Sequence, residues 1–324
     1  MSRLGSEGED IIGRWSEEKL DLLARYLKAY SDIMHKQKET WLRAYYYVDA
    51  FAGSVRPRAK EDEQRYIDGS PLRALQTEPQ FDAYWFVDVS PRRVERVQRL
   101  REDFPDCVID VRQGNCNDVL RNEIAPQIPY SSKQRAFVFL DPYGLQVDWE
   151  TVRELANTRT CDIFVNFSVM GVTRLLPRDQ NPEPEVIEQL SNVMGSTNWI
   201  TQIYREPSGI QLDIFGNPTE PTVSRDTIQA EWLASLYTEQ LRSLFPHVSR
   251  PVLMRNSTNS VLYALCLASH NQTGACHPFQ EKKETCMMMR LALRTEYLSN
   301  DPGRKNCTRP ARSSDCEDFV CRCG

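Results

Sequence analysis

The stretch "AFVFLDPYGLQVDW" (136–149) opens with five apolar residues and then stops at Asp141-Pro142-Tyr143-Gly144. A short apolar run of this kind fits a strand buried on both faces, as in parallel sheets. Proline and glycine explain why the strand ends there, because together they make a turn. They do not explain the acid and the ring beside them. Those must be weighed against the way the other strands of the chain end.

Working outward, four more segments read as strands. "YYYVDAFAG" (45–53) is a β-rich run that stops at Asp49 and Gly53, and "YWFVDVS" (84–90) carries Asp88 near its end. "CVIDVRQGNCNDVL" (107–120) predicts a strand, a Gly-Asn turn and a helix start, and "CDIFVNFSVMG" (161–171) predicts a fifth strand. Helical segments lie between them. "WSEEKLDLLARYLKAYSDIMHKQKETWLRA" (15–44) repeats Leu20, Leu23, Leu27 and Met34 on one face, with Ser16 as its N-cap. "GSPLRAL" (69–75) has Ser70 as cap and Pro71 at the first helical position, "PRRVERVQRLREDF" (91–104) follows Asp88, and Asp148 caps "WETVRELANT" (149–158). Strand alternating with helix predicts an α/β fold with a doubly wound, mostly parallel sheet.

From about 172 to 248 the pattern loosens into a helical insertion. It includes "SRDTIQAEWLASLYTEQLRSLF" (224–245), with Ser224 or Asp226 as its cap. Trp199, Tyr204 and Trp232 there read as core residues. "PVLMRNSTNSVLYALCLASH" (251–270) predicts a hairpin added to the sheet edge. Residues 1–15 read as a flexible N-terminus, and 16–274 as the domain proper.

In an open parallel sheet, ligands lie beyond the carboxyl ends of the strands. Each polar residue singled out above sits at such an end. Gly53 lets backbone approach a ligand without a Cβ in the way. Asp88 is placed to accept the hydroxyls of a ribose. Asn115 and Asn117 offer amide groups to an adenine edge, with plain turn residues as the alternative. Asp141 and the Pro142 carbonyl make a pair of acceptors aimed at an amino group, and Tyr143 offers a flat face for stacking. That pattern points to methylation of an exocyclic amine, with S-adenosylmethionine as donor: two acceptors would hold the nitrogen toward an already activated methyl group.

Composition sets the frame. The chain has 324 residues and a formal net charge of -5. It therefore lacks the overall basic field of a protein that grips nucleic acid through phosphates, and a DNA or RNA substrate would have to meet a local patch. No apolar stretch reaches a membrane span, and "MSRLGSEGEDIIGRW" (1–15) has no apolar core of a signal peptide, so a cytoplasmic location is expected. The four histidines show no metal-ligand spacing.

"YYYVDAFAGS", "GSPLRAL", "AFVFLDPYGLQVDW" and "DIFVNFSVMGVTRLL" together resemble the three-Cys-motif partner (TcmP) family, in order and spacing over roughly residues 10–274. The resemblance implies a Rossmann-like S-adenosylmethionine-dependent methyltransferase fold, that cofactor, and a three-cysteine-motif protein encoded nearby as partner. Asp141-Pro-Tyr-Gly is also similar to the Asp-Pro-Phe-Gly of tRNA guanosine N2-dimethyltransferases. "DAFAG" (49–53) is similar to the Asp-x-Phe-x-Gly of DNA cytosine methyltransferases, which adds Asp49 and Phe51 to Gly53 as cofactor residues.

Two positions depart from the related patterns. Val55 stands where a glycine would continue the first loop, and Asn115 where methyltransferases often carry an acid. These departures leave a second reading open, a non-catalytic methyltransferase-like partner; a small-molecule methyltransferase is a third. After Gly274 the resemblance ends. Residues 275–324 hold six of the ten cysteines and are expected to lack a stable fold, as a frame-shifted tail would. A zinc site of His277, Cys316, Cys321 and Cys323 is disfavoured there, because no CxxC pair exists.

Overall fold

The computed structural model describes residues 10–62, 64–177, 181–205, 224–225 and 230–270. The cysteine-rich tail and the first nine residues named above lie outside them.

The chain enters through β1 (Ile11–Ile12) and α1 (Arg14–Lys38), then forms β2 (Ala44–Asp49), β3 (Arg58–Ala59) and α2 (Ser70–Leu75). Next come β4 (Ala83–Asp88), α3 (Pro91–Asp103), β5 (Ile109–Gln113), α4 (Cys116–Val119), β6 (Gln134–Leu140), α5 (Trp149–Asn157) and β7 (Cys161–Phe167). Four helices follow: α6 (Val169–Leu175), α7 (Pro184–Met194), α8 (Trp199–Ile203) and, after a two-residue ribbon of β8 (Tyr204–Arg205) and β9 (Ser224–Arg225), α9 (Ala230–Arg242). The sheet closes with β10 (His247–Val248), β11 (Val252–Arg255) and β12 (Val261–Ser269).

The strand order across the main sheet is β10-β12-β7-β6-β2-β4-β5, with β11 also paired to β12. β2, β4, β5, β6 and β7 are mutually parallel. β12 runs antiparallel between β7 and the edge segments β10 and β11. This is a doubly wound, Rossmann-like sheet with an antiparallel closing hairpin, as the alternation of elements predicted. From β2 the chain winds outward through β4 to β5 and then returns to the other side of β2 as β6. The switch point therefore lies between β2 and β6, where a ligand crevice opens in such sheets.

Alternation along the strands explains the two layers. Tyr45, Tyr47, Phe137 and Phe139 point to one face and pack under Leu23, Leu27 and Met34 of α1. Val48, Val138 and Leu140 point to the other face, against Val152 and Leu155 of α5 and Leu190, Leu233 and Tyr237 of the inserted helices. Trp199 and Tyr204 are buried in that second layer, whereas Trp232 is partly exposed.

Four boundaries differ from the sequence reading; one is α2, whose N-cap is Gly69 while Ser70 is its first helical residue. α1 begins at Arg14 with Gly13 as N-cap, not at Ser16, because β1 pairs with β3 and fixes the turn just before it. Ser16 sits inside the first turn, its N–H donating to the Gly13 carbonyl at 2.9 Å. The pairing also holds residues 11–12 of the segment expected to be flexible. Ser224 lies in β9 rather than at a helix cap; α9 starts at Ala230.

Candidate active site

The carboxyl ends of the parallel strands open into one cleft of about 3020 Å³. Phe51, Gly53, Asp88, Asn115, Asp141, Pro142 and Tyr143 all line it, so seven of the nine residues expected at the site share one rim. Asp49 and Asn117 do not.

Asp49 is fully buried at the end of β2. Its carboxylate accepts from the Tyr47 hydroxyl at 3.1 Å and the Phe51 N–H at 3.2 Å, and it also bonds the Ser70 hydroxyl. Burial pushes its pKa from 3.8 up to about 7, against the opposing pull of those hydrogen bonds. Asp49 thus ties the first loop to the start of α2; it does not touch the cleft. The loop it holds is tight. Gly53 has φ +56, the left-handed region that side chains rarely adopt. A Cβ on Gly69 would lie 2.2 Å from the Ser54 carbonyl oxygen, which is how closely the chain returns under this loop.

Asp88 stands beside it. One carboxylate oxygen accepts the Gly53 N–H at 3.1 Å and the other the Ser90 N–H at 2.8 Å. These two bonds orient the group and leave lone pairs free for a further donor. Arg93 approaches Asp88 at 3.7 Å and pairs with Asp10 at 2.9 Å. Next to Asp88, Val89 is 71% exposed and lines the cleft, adding an apolar surface to the same rim. Asn115 caps α4, its side-chain oxygen accepting the Asn117 N–H at 2.8 Å.

Asn117 has a different task from the one the sequence suggested. Its Nδ2 donates to the Gln146 carbonyl at 2.8 Å, and its Oδ1 accepts from the Asp148 N–H at 3.0 Å and the Thr151 hydroxyl at 2.7 Å. All these side-chain hydrogen bonds go to the loop after β6 and the first turn of α5, so Asn117 pins that loop.

Asp141 holds the principal surprise. Both its oxygens accept from the Lys19 ammonium, at 2.7 and 2.5 Å, and Oδ1 also accepts from Asn166 Nδ2 at 2.8 Å. The Lys19 side chain is only 8% exposed, and its Nζ lies 5.3 Å from the Trp15 ring centroid. Trp15 in turn stacks on Tyr263 of β12 at 4.9 Å. The pKa of Tyr263 is raised by burial and then by the nearby Asp141 carboxylate and Tyr143. Tyr143 itself is 92% exposed. Lys19, Trp15 and Tyr263 went unnoticed in the sequence. Lys19 is 122 positions from Asp141 and reads as one more polar residue on an amphipathic helix.

No family model and no curated protein matches the chain. Solved structures similar to it include protein LPL1258 from Legionella pneumophila str. Philadelphia 1, described with the family model DUF519. That pair is 10% identical over 85% of this chain and 91% of the other, with a TM-score of 0.46. The putative methyltransferase yhhF from Escherichia coli is 15% identical over 43% and 68% of the two chains, at a TM-score of 0.28. The N-terminal domain of EvdMO1 with SAH bound is 9% identical over 74% and 80%, at a TM-score of 0.32. None of these likenesses assigns a chemistry to the chain. Among the described residues, no helix is long and apolar enough to cross a membrane.

Proposed function

We propose that the protein is an S-adenosylmethionine-dependent methyltransferase acting on an exocyclic amine of a nucleic-acid base. The observation that carries the reading is the shared rim: a left-handed glycine loop, an oriented acid and an exposed apolar residue line the same cleft as Asp141-Pro142-Tyr143. The residues around Gly53 and Asp88 suit the cofactor. Phe51, Gly53, Asp88, Val89 and Asn115 would hold its nucleoside, with Asp88 taking the ribose hydroxyls. When bound, the cofactor supplies an activated methyl group.

The chain's own residues supply alignment. Asp141 and the Pro142 carbonyl accept the N–H groups of the target amine and fix its orientation, and the exposed ring of Tyr143 stacks on its base. A base within a duplex would have to leave its stack to arrive there. Isothermal titration with S-adenosylhomocysteine tests the reading. Binding to the wild type that weakens at least ~10-fold in Asp88→Ala is expected, about the loss of one charge-assisted hydrogen bond. Absence of binding to the wild type would overturn it.

A second reading is favoured by one observation: Lys19 already satisfies Asp141. In that reading the protein is a non-catalytic member of the three-Cys-motif partner family that docks on the three-cysteine protein. Co-purification of the two, with methyl transfer surviving Asp141→Ala, supports this alternative.

A further inference from the structure

Three observations meet at Asp141 in the cleft. The Lys19 ammonium sits on both oxygens of Asp141, over the indole face of Trp15. Asn166, 1% exposed, turns its Nδ2 to Asp141, while its Oδ1 is buried without a hydrogen-bond partner. Asp141, Asn166, Lys19 and Trp15 all line the cleft. A buried amide oxygen left unpaired costs about 1–3 kcal/mol, so its place beside an acid calls for a donor. A carboxylate, an amide oxygen and an aromatic face together are what an ammonium group binds.

Lys19 is delivered there by fixed structure. β1 is paired to β3 just before α1, and Glu17 holds Arg65 through two bonds, at 2.7 and 2.9 Å. Further along α1, Leu20, Leu23 and Leu27 are buried against the sheet. The helix cannot shift without losing these contacts, so any exchange at Asp141 has to come from the Lys19 side chain.

We infer that Asp141, Asn166 and Trp15 form an amine subsite that Lys19 fills in cis, and that an incoming amino group enters by displacing the Lys19 side chain. The inference rests on the reading of Asp141 as the amine acceptor and gives that site its resting occupant. It also sets a preference. Displacing Lys19 by a neutral group leaves Asp141 without a counter-charge in a partly buried position, whereas a cationic primary amine restores the pair. A nucleobase amine, which is uncharged, therefore enters at a cost that stacking on Tyr143 must offset, and an alkylammonium is the tighter probe of the subsite.

The test is titration of the full chain with n-butylammonium chloride, a copy of the lysine side-chain end, and with n-butanol as the uncharged control. Lys19→Ala empties the subsite, and it should bind n-butylammonium at least ~10-fold more tightly than the wild type and show no gain for n-butanol. Lys19→Arg, which keeps a charge on Asp141, should stay closed. Lys19→Ala/Asp141→Asn should lose the gain. Equal binding by wild type and Lys19→Ala, or a gain that survives in the double variant, would overturn the inference. If Lys19→Ala does not fold, Lys19→Ser empties the subsite in the same way and carries the same expectation. S-adenosylhomocysteine titration of the wild type separates the two levels. Its failure with the amine result intact removes the methyltransferase reading alone; the converse removes the subsite alone.

Discussion

Replacing Asp49 with asparagine should flatten the pH dependence of stability. In the folded protein, burial holds the Asp49 carboxyl at about 7 against an ordinary 3.8. A carboxyl whose folded value is raised favours the folded state below its unfolded value, and that advantage is lost as pH rises through the folded value. At about 1.4 kcal/mol per pH unit, the gap amounts to roughly 4 kcal/mol, of which about 3 kcal/mol falls between pH 5 and pH 8. Asparagine has the same shape and no charge, and the hydroxyls of Tyr47 and Ser70 can accept as well as donate. Buried Asp162, raised by burial to about 6, titrates in the same direction but is present in both proteins and drops out of the comparison. Urea unfolding followed by circular dichroism at the two pH values measures the effect. Wild type should lose about 3 kcal/mol more than Asp49→Asn on going from pH 5 to pH 8. Equal losses, within about 0.5 kcal/mol, would refute the claim that this carboxyl is buried and uncharged below neutrality.

Three further outcomes are expected. Asn117→Ala removes three hydrogen bonds, two to the loop before α5 and one to Thr151 in its first turn, and should cost about 2–3 kcal/mol in urea unfolding, with S-adenosylhomocysteine affinity changed less than ~2-fold. Gly53→Val forces a branched side chain into φ +56; it should cost about 1–2 kcal/mol in the same assay and weaken S-adenosylhomocysteine binding, read by calorimetry, at least ~10-fold. Burial pushes the Cys116 thiol up to about 12, so peptide mapping after iodoacetamide treatment at pH ~8 should find it unmodified until urea unfolds the chain.

The sheet was largely legible in the sequence because its strands are buried on both faces and stop at turn residues. "AFVFLDPYG" and "DIFVNF" contain little besides β-formers, and the helices between them carry clear apolar stripes. The placement of Asp88 and Asp141 followed from topology alone, since parallel strands put their ends on one edge. What side chains do at that edge was less accessible. Asn117 and Asn115 look alike in "GNCND", yet one turns beneath the rim to α5 and the other faces the cleft. Asp49 and Asp88 end equivalent strands, but the central position of β2 seals the first while the second reaches the opening. The Lys19–Asp141 pair joins α1 to the fourth parallel strand through tertiary packing. No local spacing encodes it.

The position of Lys19 on α1 has a kinetic consequence. The helix that carries it also seals the aromatic layer through Leu23, Leu27 and Met34, so admission to Asp141 does not call for a hinged lid or a loop closure. It calls for one side chain to leave its ion pair with Asp141 by rotation about its own torsions. Admission to Asp141 should therefore stay indifferent to changes that stiffen the backbone and, the pair being largely buried, respond only weakly to ionic strength.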